Sequence, residues 1–183
     1  MSGSGSKAWT AILVILLILL LAGLTGFCVY YFVYAGSGRP SLLYNGEELE
    51  SGGTLGRLES GTEFRLLGGK GATVRIEAYA EAENDFPLQV GGTEYRWTDF
   101  SGRDMTNGFV IERSGLAGYE TLTISYAGFE EIVQGSIGTE LSVAAGEITE
   151  AWFRLVLEPG GTEVYFSVAI DLEITLDPPY IIF

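Results

Sequence analysis

The acidic residues whose spacing could bind a metal ion are Glu81, Glu83 and Asp85, which stand in one short stretch. Asp99 and Asp104 stand in a second stretch further along the chain. Calcium takes about six to eight oxygen ligands, so these carboxylates are the best metal candidates that the sequence offers. The Asp-x-Asp-x-Asp-Gly spacing of a calcium loop is absent. The calcium signal is therefore weak, and the pattern favours a solvated acidic loop.

Few residues could act as a nucleophile or as a general base. The sequence has no histidine, which excludes a Ser-His-Asp triad and a histidine zinc site. The single cysteine, Cys28, lies within an apolar run, and Lys70 lies between glycines in a turn, where its amine stays solvated. Paired carboxylates leave a small glycoside hydrolase open as a remote alternative. The sequence predicts a protein that is not an enzyme and has no cofactor.

Aromatic residues provide two candidate contact surfaces. Tyr95, Trp97 and Phe100 could stack against a sugar ring, as aromatic residues do in carbohydrate-binding modules. The hairpin predicted below places Tyr95 and Trp97 on its apolar face, which favours a role in the core. Tyr79 and Tyr165 fall on the outward faces of predicted strands, so they are the better candidates for contact with a partner.

The residues after Pro178-Pro179 form a further candidate contact segment. They are apolar or aromatic: Tyr180, Ile181, Ile182 and Phe183. Such a segment packs as a last strand at a sheet edge, docks on the sheet of a partner, or contacts a nearby membrane.

The charge balance excludes one class of partner. The chain has 24 acids against 10 bases and a net charge of -14. Nucleic-acid binding needs Lys and Arg to neutralise phosphates, so we expect no nucleic-acid partner. The same acidity argues against a domain that lies flat on anionic lipid.

The element that positions the rest of the chain is an uncharged run from Trp9 to Tyr34. At about 1.5 Å rise per residue, a helix of this length exceeds the ~30 Å hydrocarbon core of a bilayer. The run is too long for the ~7–15 apolar residues of a cleaved signal peptide, so we predict an uncleaved signal anchor over residues 9–34. Four aromatic residues would anchor its two ends at the membrane interfaces: Trp9, Tyr30, Tyr31 and Tyr34.

The flanks of this run predict its direction and its contacts. Lys7 precedes the run and Arg39 follows it, and the slight positive bias of the N-terminal flank places that side in the cytoplasm. Residues 1–8 are then a cytoplasmic stub, and residues 35–40 are a short linker to an extracytoplasmic domain. Ala22 and Gly26 are small residues four apart, which could let two such helices pair.

The rest of the chain, residues 41–183, alternates between apolar and polar side chains. The clearest case runs from Val164 to Leu176, and a Gly91-Gly92 pair between two extended runs predicts a hairpin. Short strands with glycine-rich turns predict an all-β domain, an antiparallel β-sandwich. The pattern resembles the immunoglobulin-like domains of bacterial surfaces, although the cysteine pair of antibody domains is missing. Two small sandwiches that divide near residue 127 are the alternative.

These patterns together predict the role of the protein. We expect a single-pass protein of the cell membrane whose extracytoplasmic domain is a structural or protein-interaction subunit of a cell-envelope assembly. Its expected partners are the lipid bilayer and other membrane or envelope proteins. The alternative is a membrane-displayed module that binds a carbohydrate or calcium.

Overall fold

The computed structural model of the chain describes residues 4–30, 39–68, 71–116, 118–139, 141–143 and 149–170. The first element is the helix α1, Ser4–Val29. Its segment Trp9–Val29 has a mean hydropathy of 3.0 and is long and apolar enough to cross a membrane. Its large apolar side chains are exposed on every side, and Trp9 and Tyr30 lie exposed near its two ends. Tyr31, Tyr34 and residues 35–38 of the predicted linker lie outside the described residues.

The domain after α1 is mostly β-structure. Twelve strands lie in the described part of the chain: β1 Ser41–Tyr44, β2 Glu47–Glu48, β3 Gly53–Arg57, β4 Thr62–Leu67, β5 Thr73–Tyr79, β6 Pro87–Val90, β7 Thr93–Arg96, β8 Val110–Leu116, β9 Tyr119–Ser125, β10 Leu141–Val143, β11 Glu150–Glu158 and β12 Thr162–Ala169. One helix, α2 Phe129–Ile137, interrupts them.

The strands form three sheets, with orders β2-β1-β4-β9-β8, β10-β6-β7 and β3-β12-β11-β5. All pairings are antiparallel except that of β12 with β3, which is parallel. The prediction of antiparallel β-structure after an apolar helix is therefore confirmed. The described residues do not show the specific arrangement of an immunoglobulin-like sandwich, and α2 means that the domain is mostly β rather than all-β. Strands from both sides of residue 127 share sheets and contribute to the same hydrophobic core.

The hairpin predicted at Gly91-Gly92 is present, and in its register Leu88 pairs with Tyr95. Both glycines have positive φ, 56° and 80°, which suits the tight turn between β6 and β7. The predicted face is only partly correct, because β7 is exposed along its length and Tyr95 is 38% exposed. Trp97, which follows β7, is fully buried.

Alternation in β12 buries one face of that strand. Val164, Phe166 and Val168 are buried, as is Ile170 directly after the strand. Their removal from water is the main favourable contribution to folding in a domain whose described residues contain no disulfide. The predicted continuation to Leu176 lies outside the described residues.

The helix α2 begins where the sequence shows two acids, Glu130 and Glu131, which interact favourably with the positive end of the helix dipole. It ends at Ile137, and the following cap residue Gly138 has a φ of +75°, which lets its N–H donate to the carbonyl of Gln134 at 2.7 Å. The sequence from Phe129 to Gln134, which glycines flank, indicates only a helical turn. The helix extends to about two and a half turns because Phe129 and Ile132, among others, are buried in the core.

Candidate functional site

The candidate site lies on the outer face of the β3-β12-β11-β5 sheet. In the register of the three longest strands, Tyr79 of β5 pairs with Trp152 of β11, and Trp152 pairs with Ser167 of β12. One row away, Arg154 pairs with Tyr165. The side chains of Tyr79, Trp152, Arg154 and Tyr165 point away from the core because inward and outward positions alternate along each strand, whereas Ser167 is fully buried.

Three aromatic side chains of this face line an open cleft of about 700 Å³. The rings of Tyr79 and Tyr165 are tilted by 56° with centroids 4.5 Å apart, a favourable aromatic arrangement. The residues that line the cleft come from β3 and the residue before it, from β5 and the segment after it, and from β11 and β12: Gly52, Thr54, Tyr79, Glu81, Glu83, Asn84, Trp152 and Tyr165.

A network of charged side chains lies beside the three aromatic residues on the same face of the sheet. Glu77 is buried and accepts hydrogen bonds from Arg154, one of them from Nε at 3.1 Å. Arg75 lies 2.9 Å from the other carboxylate oxygen of Glu77. Glu163 lies 3.2 Å from Arg154 and accepts a hydrogen bond from the hydroxyl of Tyr165 at 3.4 Å. Hydrogen bonding to Glu77 outweighs burial and raises the pKa of the Arg154 guanidinium above its ordinary value, so Arg154 stays charged.

Glu81, at the edge of the cleft, is held in place by a hydrogen bond from its backbone N–H and by a hydrogen bond from a tyrosine to its carboxylate. Tyr79 donates its hydroxyl proton to the carboxylate of Glu81. Residues Ala82–Asn84 form a short 3-10 turn in which the Glu81 N–H donates to Asn84 Oδ1 at 2.6 Å. The hydrogen bond to Glu81, together with burial, raises the pKa of Tyr79 to about 12. Tyr79 is therefore a neutral hydrogen-bond donor at neutral pH.

The three acids considered for calcium do not converge on one point. Glu81 and Glu83 are exposed beside the cleft, whereas Asp85 forms an ion pair with Arg96 and accepts the N–H of Thr98 at 3.0 Å. Burial by itself raises the pKa of Asp85, but these hydrogen bonds outweigh it and lower the pKa below its ordinary value. Among the described residues, no group of three or more potential ligands could hold a metal ion.

The two acids of the second stretch have local structural roles. Asp99 accepts the N–H of Arg96 at 2.8 Å at the start of a 3-10 turn. Asp104 accepts the N–H of Thr106 at 2.9 Å, and its hydrogen bonds with Thr106 lower the pKa of its carboxyl. Each carboxylate satisfies backbone groups of its own loop.

The aromatic set considered for sugar stacking does not form an exposed surface. Trp97 and Phe100 are buried, and Trp97 donates its Nε1 proton to the carbonyl of Tyr79 at 3.1 Å. Tyr95 packs against Phe100 with its ring centroid 5.5 Å away. Trp97 therefore lies behind the strand that carries the cleft and supports it from the core side.

The remaining sequence candidates lie elsewhere. Ala22 and Gly26 are in α1, where a Cβ on Gly26 would meet open space. The four residues of the candidate docking segment at the C-terminal end lie outside the described residues: Tyr180, Ile181, Ile182 and Phe183.

Sequence reasoning identified two of the three cleft aromatics, Tyr79 and Tyr165, and missed Trp152 and Arg154. A signal for Trp152 was present in the sequence, because apolar Phe153 and Leu155 alternate with amphipathic Trp152 and charged Arg154, and if they face the core Trp152 must point outward. Only the strand order places β11, which carries Trp152, between the strands that carry the two tyrosines. Comparison of the chain with protein-family models, with curated proteins and with solved structures gave no match.

Proposed function

We propose that this protein is a non-catalytic binding protein that its N-terminal helix holds in a cell membrane, and that its cleft binds a positively charged side chain of a partner protein. The observation that carries the proposal is the group of Tyr79, Trp152 and Tyr165 beside two exposed carboxylates. Aromatic faces and carboxylates together stabilise a Lys or Arg side chain through cation–π and ionic contacts.

The charge of the cleft supports a cationic ligand. Glu81 and Glu83 add negative charge at the edge of the cleft, and Arg154 is already neutralised by Glu77 and Glu163. The net charge of -14 for the whole chain adds long-range attraction for a basic partner. A negatively charged ligand would be repelled by the two cleft carboxylates and by the net negative charge of the chain.

The rigidity of the cleft supports specific recognition. The hydroxyl of Tyr165 is hydrogen-bonded to the carboxylate of Glu163, and the hydroxyl of Tyr79 is hydrogen-bonded to the carboxylate of Glu81. Side chains that are ordered before a ligand arrives lose little conformational entropy on binding. The same bonds argue against catalysis, since Tyr79 keeps its proton and the chain offers no histidine base.

The anchor supports a location at a membrane. An uncharged helix segment with a mean hydropathy of 3.0 partitions favourably into hydrocarbon. Lys7 on its N-terminal flank favours a single pass with that flank in the cytoplasm and the β-domain outside the cytoplasm. The domain then acts as an interaction subunit of a cell-envelope assembly.

A titration with a basic peptide tests the binding proposal. The detergent-solubilised full chain is titrated calorimetrically with acetyl-Gly-Arg-Gly-Lys-Gly-amide. We expect Trp152→Ala to weaken binding about tenfold because it removes an aromatic face from the cleft. We also expect the double variant Glu81→Gln, Glu83→Gln to weaken binding and to reduce its salt dependence.

The matched control is the double variant Glu47→Gln, Glu48→Gln, which removes the same charge from the exposed strand β2. Equal binding by the two double variants would contradict recognition in the cleft.

An uncharged carbohydrate is the second candidate, because tryptophan and tyrosine faces beside carboxylate acceptors also suit a sugar ring. Binding of a neutral oligosaccharide that is lost in Trp152→Ala, with no binding of the peptide, would establish this second candidate instead.

A further inference from the structure

Two large side chains lie exposed at the tip of the β8–β9 hairpin. Leu116, the last residue of β8, is 66% exposed, and Tyr119, the first residue of β9, is 53% exposed. The two residues are paired directly across the hairpin, so they lie on the same face. Leu116 and Tyr119 therefore form a small exposed patch at this end of the hairpin rather than two scattered exposures.

The tip is fixed to the end of the sheet. Gly115 and Gly118 adopt positive φ of 102° and 88°, which the tight connection requires. The carbonyl of Gly118 accepts a hydrogen bond from the N–H of Gly68 at 3.0 Å, which ties the tip to the end of β4. Leu116 and Tyr119 are therefore presented at a defined place on the fold.

That place is the end of the sheet where the chain arrives from α1. Tyr119 pairs with Leu67 across β9 and β4, and Leu67 pairs with Ser41, the first residue of β1. Leu116, Tyr119, Leu67 and Ser41 thus form one row across four strands. Only about eight residues separate Tyr30 from Arg39, which at about 3.5 Å each span at most ~30 Å.

The charges near the tip do not oppose a lipid surface. Glu120, next to Tyr119, faces Arg113 at 3.5 Å, and Arg113 is further held by the carbonyl of Ala72 at 2.7 Å. Arg39 adds a positive charge where the chain enters the domain. The exposed acids Glu47 and Glu48 pair with the far end of β1, away from Ser41.

We infer that Leu116 and Tyr119 insert into the lipid interface of the membrane that holds α1, and this rests on the membrane anchoring proposed above. Leucine and tyrosine suit this depth, since the apolar body enters the acyl boundary while the tyrosine hydroxyl stays among the headgroups. Because the domain then contacts the membrane only through the hairpin tip and not through a flat face, the acidic rest of the domain stays in water. This contact also fixes which side of the domain faces outward.

Spin labelling of the reconstituted full chain tests this contact. In a Cys28→Ser background, a nitroxide is placed at Leu116→Cys, and the chain is inserted into phosphatidylcholine vesicles. The readout is the ratio of collision with oxygen to collision with a nickel chelate, which is high in lipid and low in water. Val110→Cys is the matched control, because Val110 lies on the same face of β8, is 57% exposed, and stands about 20 Å from Leu116 along the strand.

We expect the ratio at position 116 to exceed that at position 110 by about threefold or more, as for a side chain within the interface. A third label at Leu17→Cys reports the anchor. Equal ratios at positions 110 and 116, with Leu17→Cys in hydrocarbon, would overturn the contact and leave the anchor standing. A low ratio at position 17 would overturn both the membrane anchor and the lipid contact of the hairpin tip.

Discussion

The cleft and the hairpin tip both present aromatic and apolar surface, but the protein supports the two regions differently. In the cleft, Tyr79, Trp152 and Tyr165 are half-buried, stand on paired strands, and rest beside the Glu77–Arg154 network. At the tip, Leu116 and Tyr119 are more than half exposed on a two-strand turn.

This difference separates two kinds of recognition. A supported set of rings holds a fixed geometry, which suits a ligand of defined shape and charge. A pair of side chains that are more than half exposed at a hairpin tip suits a fluid lipid surface, which adapts to the side chains that enter it. The comparison also predicts where substitutions will affect folding and where they will affect only contact.

The largest effect is expected from removing the core support behind the cleft. Phe153 lies between Trp152 and Arg154 in sequence but faces the core, where it is fully buried and contacts the rings of Trp97 and Phe166. Phe153→Ala should lower the free energy of unfolding by about 3–5 kcal/mol because it leaves a cavity. Urea unfolding followed by circular dichroism measures this loss, and a change below about 1 kcal/mol would contradict the packing described.

The second largest effect is expected from removing the ion pair between Arg154 and Glu77 beside the cleft. Arg154→Met leaves buried Glu77 with Arg75 as its remaining charged partner and should destabilise the fold by about 3 kcal/mol. Arg113→Met is the matched change beside the hairpin, where the ion pair with Glu120 is looser, and should cost only about 1 kcal/mol. Denaturant unfolding of the two variants measures the two losses of stability. An equal loss in both would contradict the stronger ionic support of the cleft relative to the hairpin.

The third effect is a pH dependence confined to the cleft. The folded pKa of Tyr79 is raised from 10.0 to about 12, so its bond to Glu81 stabilises the fold fully below about pH 10. This contribution is lost as the pH rises through about 12, because the phenolate cannot donate. Absorbance at 295 nm should show late ionisation of one tyrosine, shifted to lower pH in Glu81→Gln and absent in Tyr79→Phe. Unchanged titration in Glu81→Gln would contradict the bond.

The smallest effect is expected at the tip. Leu116→Ser should change the free energy of unfolding by no more than about 0.5 kcal/mol, since an exposed side chain loses little packing. Val110→Ser, on the same face of β8, should behave alike. A loss above about 1 kcal/mol for Leu116→Ser alone would mean that the tip is packed against the fold rather than presented to a partner.

Local patterns in the sequence predicted much of the secondary structure. The uncharged run predicted the helix α1, the alternation from Val164 predicted the buried face of β12, and Gly91-Gly92 predicted the turn between β6 and β7. Each signal lies within about twenty neighbouring residues, where periodicity and backbone preference act directly. The predicted core position of Tyr95 was wrong because alternation gives the face of a residue but not whether another element covers that face.

The candidate site was only half predictable for the same reason. Tyr79 and Tyr165 were identified as outward-facing, but their neighbours were not, because a pairing between distant strands has no local signature. The parallel pairing of β12 with β3, which brings Thr54 beside Tyr165, is one example. Asp85 shows the converse, since an acid that looked available is held by Arg96 and Thr98.

The sequence by itself determined that this chain has an uncharged apolar helix, alternating strands, glycine turns and no histidine. The tertiary structure alone decided which outward side chains meet, because strand order and register depend on the packing of the whole core. Gly108 illustrates the distinction: Asn107-Gly108 looks like a turn signal, yet its backbone has no positive φ. Glycine is required there because α2 crosses so closely that a Cβ would overlap the backbone of Ile132. Such a contact between distant segments exists only once the chain has folded.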